Sequence, residues 1–307
     1  MNKPPDRLVD RYSFQRFLGT RDPFRVWLAH DERLMRDVAI KQFLCKVRPG
    51  DVRGQRMRKM AVREAQAASQ ISHHNVLRVY DLVESDDLIW LVMEFLPSRS
   101  LRDLVCEHTR LGPAYVASVG VAVLDALTAA HREGVLHRDV TPDNVLIGEN
   151  GRVALTDFGL AAWNPYDGRT LFGADPHAPH YVAPERARFG LSIPEGDLWS
   201  LGATLYAAVE GHCPYARATV TETLVAMMAS PPDAPIFAGP LTTVLCGLLQ
   251  RDPRMRMTAP EARRHLLKAC VRLADDDGTM PLRPARQRLQ SAMTVMLDGN
   301  PPSQLAA

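Results

Sequence analysis

The sequence predicts an α+β fold in which a small β-rich part precedes a larger α-rich part. Short apolar runs bounded by charged turns dominate from Tyr12 to about Phe95, and residues 38–43 and 88–93 are the clearest strands. From Ser100 onward the hydrophobic pattern is helical. Of the 307 residues, 46% are hydrophobic and 23% are charged, so the composition is globular and excludes global disorder.

The elements follow in order from local composition. Residues 1–10 are polar and contain two prolines, so we expect a flexible N-terminal arm. Residues 56–71 are rich in Ala, Gln, Glu, Arg and Met and predict a helix between the strands. Residues 116–132 predict a strongly apolar buried helix, and residues 197–209 predict another.

The last residues, 271–307, change character and predict a separate C-terminal tail. Three consecutive aspartates at 275–277 are typical of a turn, and residues 286–297 fit one short amphipathic helix. This helix would dock a partner, pack back on the preceding domain, or stay disordered; the sequence leaves these three alternatives open.

Neither a membrane span nor a secreted protein is predicted. The best apolar run, residues 116–130, is interrupted by Asp125, and the N-terminus has no apolar leader segment. The five cysteines are odd in number and widely spaced, which favours reduced thiols over a disulfide framework or a zinc site. We therefore expect a cytoplasmic protein.

The overall charge is nearly balanced, but it is unevenly distributed. The net charge is +2, which argues against a general nucleic-acid or membrane-surface binder. Residues 41–63 hold eight basic residues and one acid, so this stretch carries +7. It is either a solvated basic face or a docking surface for an acidic or phosphorylated partner.

Four short motifs occur in a fixed order and carry the functional argument. They are Val38-Ala39-Ile40-Lys41 on a predicted strand, His137-Arg138-Asp139 with Asn144 after the buried helix, Asp157-Phe158-Gly159, and Ala183-Pro184-Glu185. Asp157 follows Asp139 by 18 residues, and Glu185 follows Asp157 by 28. Each motif alone is a weak signal, but their order and context together are specific.

The motif set resembles the eukaryotic-like (Hanks-type) serine/threonine protein kinases of bacteria over about residues 11–270. The resemblance implies a bilobal protein-kinase fold with an N-lobe at 11–96 and a C-lobe at 97–270. It also implies Mg²⁺-dependent transfer of the ATP γ-phosphate to Ser or Thr hydroxyls of protein substrates. One alternative is a pseudokinase that binds nucleotide weakly and signals as a scaffold. A small-molecule phosphotransferase is a weaker alternative, because such enzymes lack the 183–185 motif.

The resemblance also implies a set of site residues. The catalytic set is Lys41, Glu64, Asp139, Thr141, Asn144 and Asp157. The nucleotide-binding set is Gly19, Val26, Ala39, Lys41, Met93, Glu94, Leu96 and Leu146. The metal ligands are Asn144 and Asp157.

Each implied role has a physical reason. Lys41 would hold the α- and β-phosphates, with Glu64 as its partner, while Asp139 would accept or orient the proton of the substrate hydroxyl. Glu185 and Arg256 would form a buried ion pair that anchors the activation segment, and Asp197 would brace the catalytic loop. The plain alternatives are a solvated helix charge at Glu64, a loop cap at Asp139, and surface charges at Glu185 and Arg256.

Three departures from the family pattern indicate low activity. Residues 19–26 keep only Gly19 and Val26 of the glycine-rich loop, and the bulk at Arg21 and Phe24, the charge of Asp22 and the missing N–H of Pro23 weaken phosphate binding. Thr141 stands where most Ser/Thr kinases carry lysine. His177-Ala178 replaces the usual Gly-Thr.

One regulatory site is predicted in the activation segment. Arg138 next to Asp139 implies control by a phosphate in this segment. Thr170 is the sole Ser or Thr between Gly159 and Ala183, so it is either the autophosphorylation site or an ordinary loop threonine.

Overall fold

The computed structural model describes residues 6–21, 24–44, 51–158 and 178–274. Within these ranges the strands are β1 Arg7–Leu8, β2 Tyr12–Arg21, β3 Phe24–Asp31, β4 Arg36–Phe43, β5 Val79–Ser85, β6 Leu88–Glu94, β7 Ser98–Ser100, β8 Val145–Gly148 and β9 Val153–Leu155. The helices are α1 Val52–Gln70, α2 Leu101–His108, α3 Pro113–Arg132, α4 Pro184–Phe189, α5 Pro194–Glu210, α6 Val220–Ala229, α7 Thr242–Leu248 and α8 Ala259–Ala274.

The N-terminal part is a six-stranded antiparallel sheet in the order β1-β2-β3-β4-β6-β5. Side chains alternate between the two faces of a strand, so Ala39, Lys41 and Phe43 of β4 share one face. Ala39 and Phe43 pack there in an apolar cluster with Met57 and Ala61 of α1. The alternation therefore points Lys41 toward α1.

The prediction of a flexible arm over residues 1–10 is wrong at residues 7–8. These residues form β1 and pair with β2, with Leu8 opposite Tyr12. The Leu8 side chain is 1% exposed and packs with Tyr12 and Trp90. Burial of one large apolar side chain stabilises the pairing by about 2 kcal/mol, which explains why the short strand forms.

The C-terminal part is helical and is built around α3. This helix packs against α5 and α8, and it begins earlier than the sequence predicts because Pro113 occupies the first helical turn. Helix α5 likewise begins at Pro194 and ends before Gly211, which has φ +82°. A Cβ atom at Gly211 would lie 2.4 Å from the Thr109 carbonyl oxygen, so only glycine fits.

By length and composition alone, Pro113–Arg132 is one helix that would be able to cross a membrane, among the residues described. In the fold, however, 61% of its apolar window is buried. Asp125, the charge within this helix, accepts a 2.7 Å hydrogen bond from Arg263 Nε of α8. The core position of α3 thus accounts for its apolar sequence.

A small three-stranded sheet, β7-β8-β9, places the polar loops that follow. Strands β8 and β9 are antiparallel, so the residues entering β8 and those leaving β9 lie at the same end of the hairpin. The Thr156 N–H donates to the Asn144 carbonyl at 3.0 Å across this end. Residues 137–144 and residue 157 are thereby brought together.

Candidate active site

A buried lysine lies between two carboxylates at the junction of the two parts. Lys41 Nζ is 3.1 Å from Glu64 Oε1 of α1 and 3.1 Å from Asp157 Oδ1, which follows β9. The side chains of Lys41 and Glu64 are 3% and 2% exposed. The structure therefore joins three residues of the predicted site through one ammonium group.

The two carboxylates keep Lys41 charged despite its burial. Burial lowers the pKa of Lys41, but the attraction of Asp157 and Glu64 outweighs it and the pKa is raised overall. Burial raises the pKa of Glu64 to about 7, although the Lys41 ammonium acts in the opposite direction. Glu64 Oε2 has no hydrogen-bond partner, which explains why desolvation dominates at this carboxyl.

The loop before β8 holds a second polar cluster. Asn144 Nδ2 donates to the Asp139 carboxylate at 3.0 Å and to the Asp139 carbonyl at 2.7 Å. Thr141 is also within this loop; its carbonyl accepts from the Asn144 N–H at 3.0 Å, while its buried hydroxyl has no partner. The predicted catalytic residues of this loop are thus coupled to one another.

The His137 side chain stabilises this loop through hydrogen bonds at both ring nitrogens. Its Nε2 lies 2.8 Å from the Thr156 carbonyl, and its Nδ1 accepts from the Asp139 N–H at 3.2 Å. This pattern assigns the ring proton to Nε2. The ring also packs edge-on against Phe158 at 4.5 Å. These contacts give His137 and Phe158 a structural role beneath the loop.

Asp197 of α5 fixes the same loop through main-chain hydrogen bonds. Its carboxylate accepts from the N–H groups of His137 and Arg138 at 2.9 and 2.7 Å, and it lies 2.8 Å from His131 Nε2. These bonds to the ionised form lower its pKa although burial acts against them. Arg138 and Asp157 both have positive φ, +68° and +67°, and such left-handed backbone is common where a site is held under strain.

Five predicted nucleotide-binding side chains meet in one apolar cluster. Ala39 and Met93 lie opposite each other on neighbouring strands, and both are buried. The other three, Val26, Leu96 and Leu146, are partly buried and pack against the same cluster. Glu94 is different because its carboxylate is paired with Arg152, with one bond of 3.2 Å. The Glu94 N–H is also engaged, since it donates to the Arg78 carbonyl at 2.8 Å.

The strand pair at Gly19 departs most from the family pattern. Gly19 lies opposite Val26, as the motif requires. Phe24 replaces a glycine, and its ring turns inward: it is 8% exposed and its centroid lies 4.3 Å from Lys41 Nζ. Asp22 and Pro23 lie outside the described residues, as does the side chain of Arg21.

A second buried ion pair lies in the helical part. Arg256 Nη1 and Nη2 donate to the Glu185 carboxylate oxygens at 2.7 and 3.0 Å, and both side chains are nearly inaccessible to solvent. Arg256 also donates to the carbonyls of Glu195 and Gln250. The structure thus brings the predicted pair together as a two-pronged contact.

Comparison with known proteins agrees with this geometry. A family model described as "Protein kinase domain" matches residues 12–267. The chain belongs to the protein kinase family. The bilobal α+β fold predicted from the motifs is thereby confirmed.

Named relatives of this kinase domain are serine/threonine kinases from bacteria and animals. Serine/threonine-protein kinase PrkC of Bacillus subtilis is 30% identical over 260 residues, which cover 83% of this chain and 40% of PrkC. Serine/threonine-protein kinase PAK 4 of Homo sapiens is 34% identical over 232 residues, which cover 72% of this chain and 38% of PAK 4. A probable serine/threonine-protein kinase of Streptomyces coelicolor is 29% identical over 278 residues, or 87% of this chain and 41% of the relative. This kinase domain therefore spans about two fifths of the length of these relatives.

Sequence reasoning missed three contacts of this kinase domain. Arg152 pairs with Glu94, His131 reaches Asp197, and Arg186 Nη1 donates to the Arg138 carbonyl. No motif includes Arg152, His131 or Arg186, and each contact joins elements distant in the chain. The predictions at Thr170, His177 and residues 275–307 lie outside the described residues.

Proposed function

We propose that this chain transfers the γ-phosphate of ATP to Ser or Thr hydroxyls of protein substrates. The observation that carries the proposal is the Lys41 ammonium, held 3.1 Å from both Glu64 and Asp157. Phosphoryl transfer needs a fixed positive charge for the ATP phosphates and a carboxylate near the metal, and this arrangement provides both. The segment 179–185 resembles the Ser/Thr class, and the named relatives are Ser/Thr kinases.

Asn144 and Asp157 are suited to Mg²⁺ by their chemistry. Since Asn144 uses Nδ2 to donate to Asp139, its other amide atom is an oxygen acceptor. Asp157 supplies a carboxylate, and Mg²⁺ is commonly held by one or two such protein ligands together with substrate phosphates. The bound ion would neutralise phosphate charge during transfer. No cluster of three or more His, Cys, Asp or Glu side chains able to hold a metal occurs among the described residues.

We further propose that the activity is low. The Phe24 ring covers the Lys41 ammonium, so phosphates that approach Lys41 would displace a packed aromatic side chain. Thr141 places a neutral group two residues after Asp139. The Phe24 ring thus supports weak nucleotide binding, and the neutral Thr141 supports slow transfer.

Adenine would bind between Val26, Ala39 and Leu146, where the apolar cluster lies.

The wild-type protein, incubated with Mg²⁺, γ-labelled ATP and a generic protein substrate, is expected to transfer label. The reaction should stop when EDTA removes the metal, because the phosphate charge is then unneutralised. Phosphoamino-acid analysis should find label on Ser or Thr. Absence of transfer, with ATP still shifting the thermal unfolding curve, would contradict the proposal and favour a pseudokinase.

Several free thiols support a reducing compartment, and we propose the cytoplasm. Cys106, Cys213, Cys246 and Cys270 are unpaired with one another in the structure. Reduced cysteines persist where glutathione and thioredoxin systems operate.

We also propose that α1 docks an anionic protein segment. Its Arg58, Lys59 and Arg63 side chains are exposed, whereas its one acidic residue, Glu64, is buried against Lys41. Arg58 Nε donates to Glu84 at 2.7 Å, and both groups are about half exposed. A partner bound here would contact the helix that positions Glu64. A partner bound to Arg58, Lys59 and Arg63 would therefore affect the position of Glu64 and, through it, of Lys41.

The charge-reversed variant Lys59→Glu/Arg63→Glu is expected to lose binding to a peptide carrying phosphoserines and glutamates. These two residues are four apart and share one helix face, so reversal replaces attraction with repulsion. Fluorescence anisotropy at low salt should show a drop in affinity of at least about tenfold, and the difference should shrink as salt rises. Arg264→Glu/Lys268→Glu on α8 is the matched control, since both side chains are exposed and four apart. Equal binding by both variants and wild type would refute the docking surface.

A further inference from the structure

The catalytic loop lacks a basic side chain on the substrate side of Asp139. Between Asp139 and Asn144 the residues are Val, Thr, Pro and Asp. Thr141 is 4% exposed, and its hydroxyl has no hydrogen-bond partner. Lys41 is already engaged by Glu64 and Asp157. The basic side chain of this loop, Arg138, precedes Asp139, so a further positive charge near Asp139 comes from another element.

Arg186 of α4, an element that follows the loop in the chain, contacts the loop through its side chain. Its Nη1 donates to the Arg138 main-chain carbonyl, which is bonded directly to the Asp139 nitrogen. Arg186 is held in place by its neighbours, since the preceding residue, Glu185, is locked to Arg256 and Pro184 begins the helix. The Arg186 N–H also donates to the Ala183 carbonyl at 3.0 Å. The main chain that carries the Arg186 side chain is thus held in place by its neighbours.

The contact falls on a strained part of the backbone. Arg138 has φ +68°, a left-handed conformation that is unfavourable for a residue with a Cβ atom. Asp197 holds the N–H of Arg138 at 2.7 Å, and Arg186 holds its carbonyl. The peptide groups on both sides of this residue are therefore clamped, one by a carboxylate and one by a guanidinium.

Arg186 lies in the field of two carboxylates, Asp139 and Asp197. The pKa of Arg186 is lowered overall, mainly because the side chain is buried, and repulsion from Arg138 acts in the same direction. Attraction from Asp139 and Asp197 acts in the opposite direction. Asp197 already accepts two N–H groups and faces His131. The Asp139 carboxylate instead accepts one hydrogen bond, from Asn144 Nδ2. Asp139 therefore has fewer hydrogen-bond donors of its own than Asp197 has.

We propose that Arg186 is a positioning residue for phosphoryl transfer, which clamps the Arg138 carbonyl and adds from α4 a second positive charge near Asp139. This inference rests on the proposed kinase activity. It explains how a loop with a neutral residue at Thr141 retains an oriented catalytic carboxylate. A misplaced catalytic group commonly costs about 100-fold in rate, so the residue is expected to matter.

The test compares kcat and KM for ATP in Arg186→Gln, Arg186→Lys and the exposed neighbour Arg188→Gln. Arg186→Gln should lower kcat by about 100-fold with a smaller change in KM, because the Asp139 carboxylate and not the ATP site is disturbed. Arg186→Lys should retain more activity than Arg186→Gln, since the charge is kept. Arg188→Gln should match wild type. Thermal unfolding of each variant verifies that the fold persists.

A rescue experiment separates charge from mere packing. Thr141→Lys places an ammonium two residues from Asp139, so Arg186→Gln/Thr141→Lys should regain at least about tenfold in kcat over Arg186→Gln, if a correctly placed charge accounts for part of the loss. Thr141→Lys alone is measured beside it, and the rescue is expressed relative to that variant. A folded Arg186→Gln with wild-type kcat, or a double variant without rescue, would overturn the inference.

Hydrogen–deuterium exchange distinguishes failure of this inference from failure of the proposed function. Arg186→Gln should exchange faster at the amides of residues 138–141, because the Arg138 carbonyl loses its partner. An inactive wild type would count against the kinase proposal itself. Unchanged exchange in this loop would overturn the clamp whether or not the wild type is active.

Discussion

Asp139→Asn is expected to abolish measurable phosphate transfer while leaving ATP binding intact. Asparagine keeps the shape of the side chain and an oxygen acceptor for Asn144 Nδ2, which lies 3.0 Å from the Asp139 carboxylate. It cannot accept a proton and carries no charge. Removal of a positioned base lowers kcat by about 100- to 10,000-fold. The measurement is label transfer from γ-labelled ATP at saturating nucleotide, with the KM for ATP little changed.

Asp143→Asn is the matched control for Asp139→Asn. It lies four residues further along the same loop and pairs with Arg102 at 3.3 Å, away from the proposed proton transfer. We expect it to keep most of the activity. An Asp139→Asn variant as active as Asp143→Asn would show that Asp139 is not the base.

Arg256→Met is expected to cause the largest loss of stability of any single substitution discussed. It removes one partner of a buried ion pair and leaves the Glu185 carboxylate without compensation for its burial, which costs about 3–5 kcal/mol. The carbonyls of Glu195 and Gln250 also lose their donor. Urea unfolding should show a lower midpoint with an unchanged slope. Transfer activity should fall as well, because Glu185 anchors the helix that bears Arg186.

Two further variants show whether the loss of stability comes from the buried ion pair. Arg254→Met, on the same turn, removes an arginine whose side chain is 89% exposed and paired with Asp252, and its unfolding should match wild type. The double variant Glu185→Met/Arg256→Met should cost less than the sum of the single variants, because no lone charge stays buried. Strict additivity would mean that the two side chains do not interact energetically.

Much of the active site was predictable because its residues occur in short local motifs. Asp139, Asn144 and Asp157 were identified because their motifs resemble those of protein kinases, and the structure pairs Asp139 with Asn144 and Asp157 with Lys41. The resemblance implies a helix glutamate as the partner of Lys41, and Glu64 fits because it is the single acid between Asp51 and Asp81. Such predictions work where function restricts both residue type and sequence separation.

Other features were not predictable from the sequence, because they depend on which side chains meet across the fold. The inward turn of Phe24 onto Lys41 follows from β3 and β4 pairing beside an apolar cluster. The arm prediction failed at Leu8 because the decisive contacts, with Tyr12 and Trp90, include one from a distant strand. Helix α3 was correctly predicted to be buried, yet its packing against α8 has no local signal.

The sequence by itself determined the α+β class, with strands before helices, and, through motifs that resemble those of protein kinases, the residues proposed for phosphoryl transfer. Periodicity and motif spacing encode these, since each depends on neighbours along the chain. The tertiary structure alone decided how those residues are charged and supported: the shared ammonium of Lys41, the raised pKa of Glu64 and the Arg186 clamp on the catalytic loop. Burial and distance set these properties, and both arise when residues far apart in the chain are packed together.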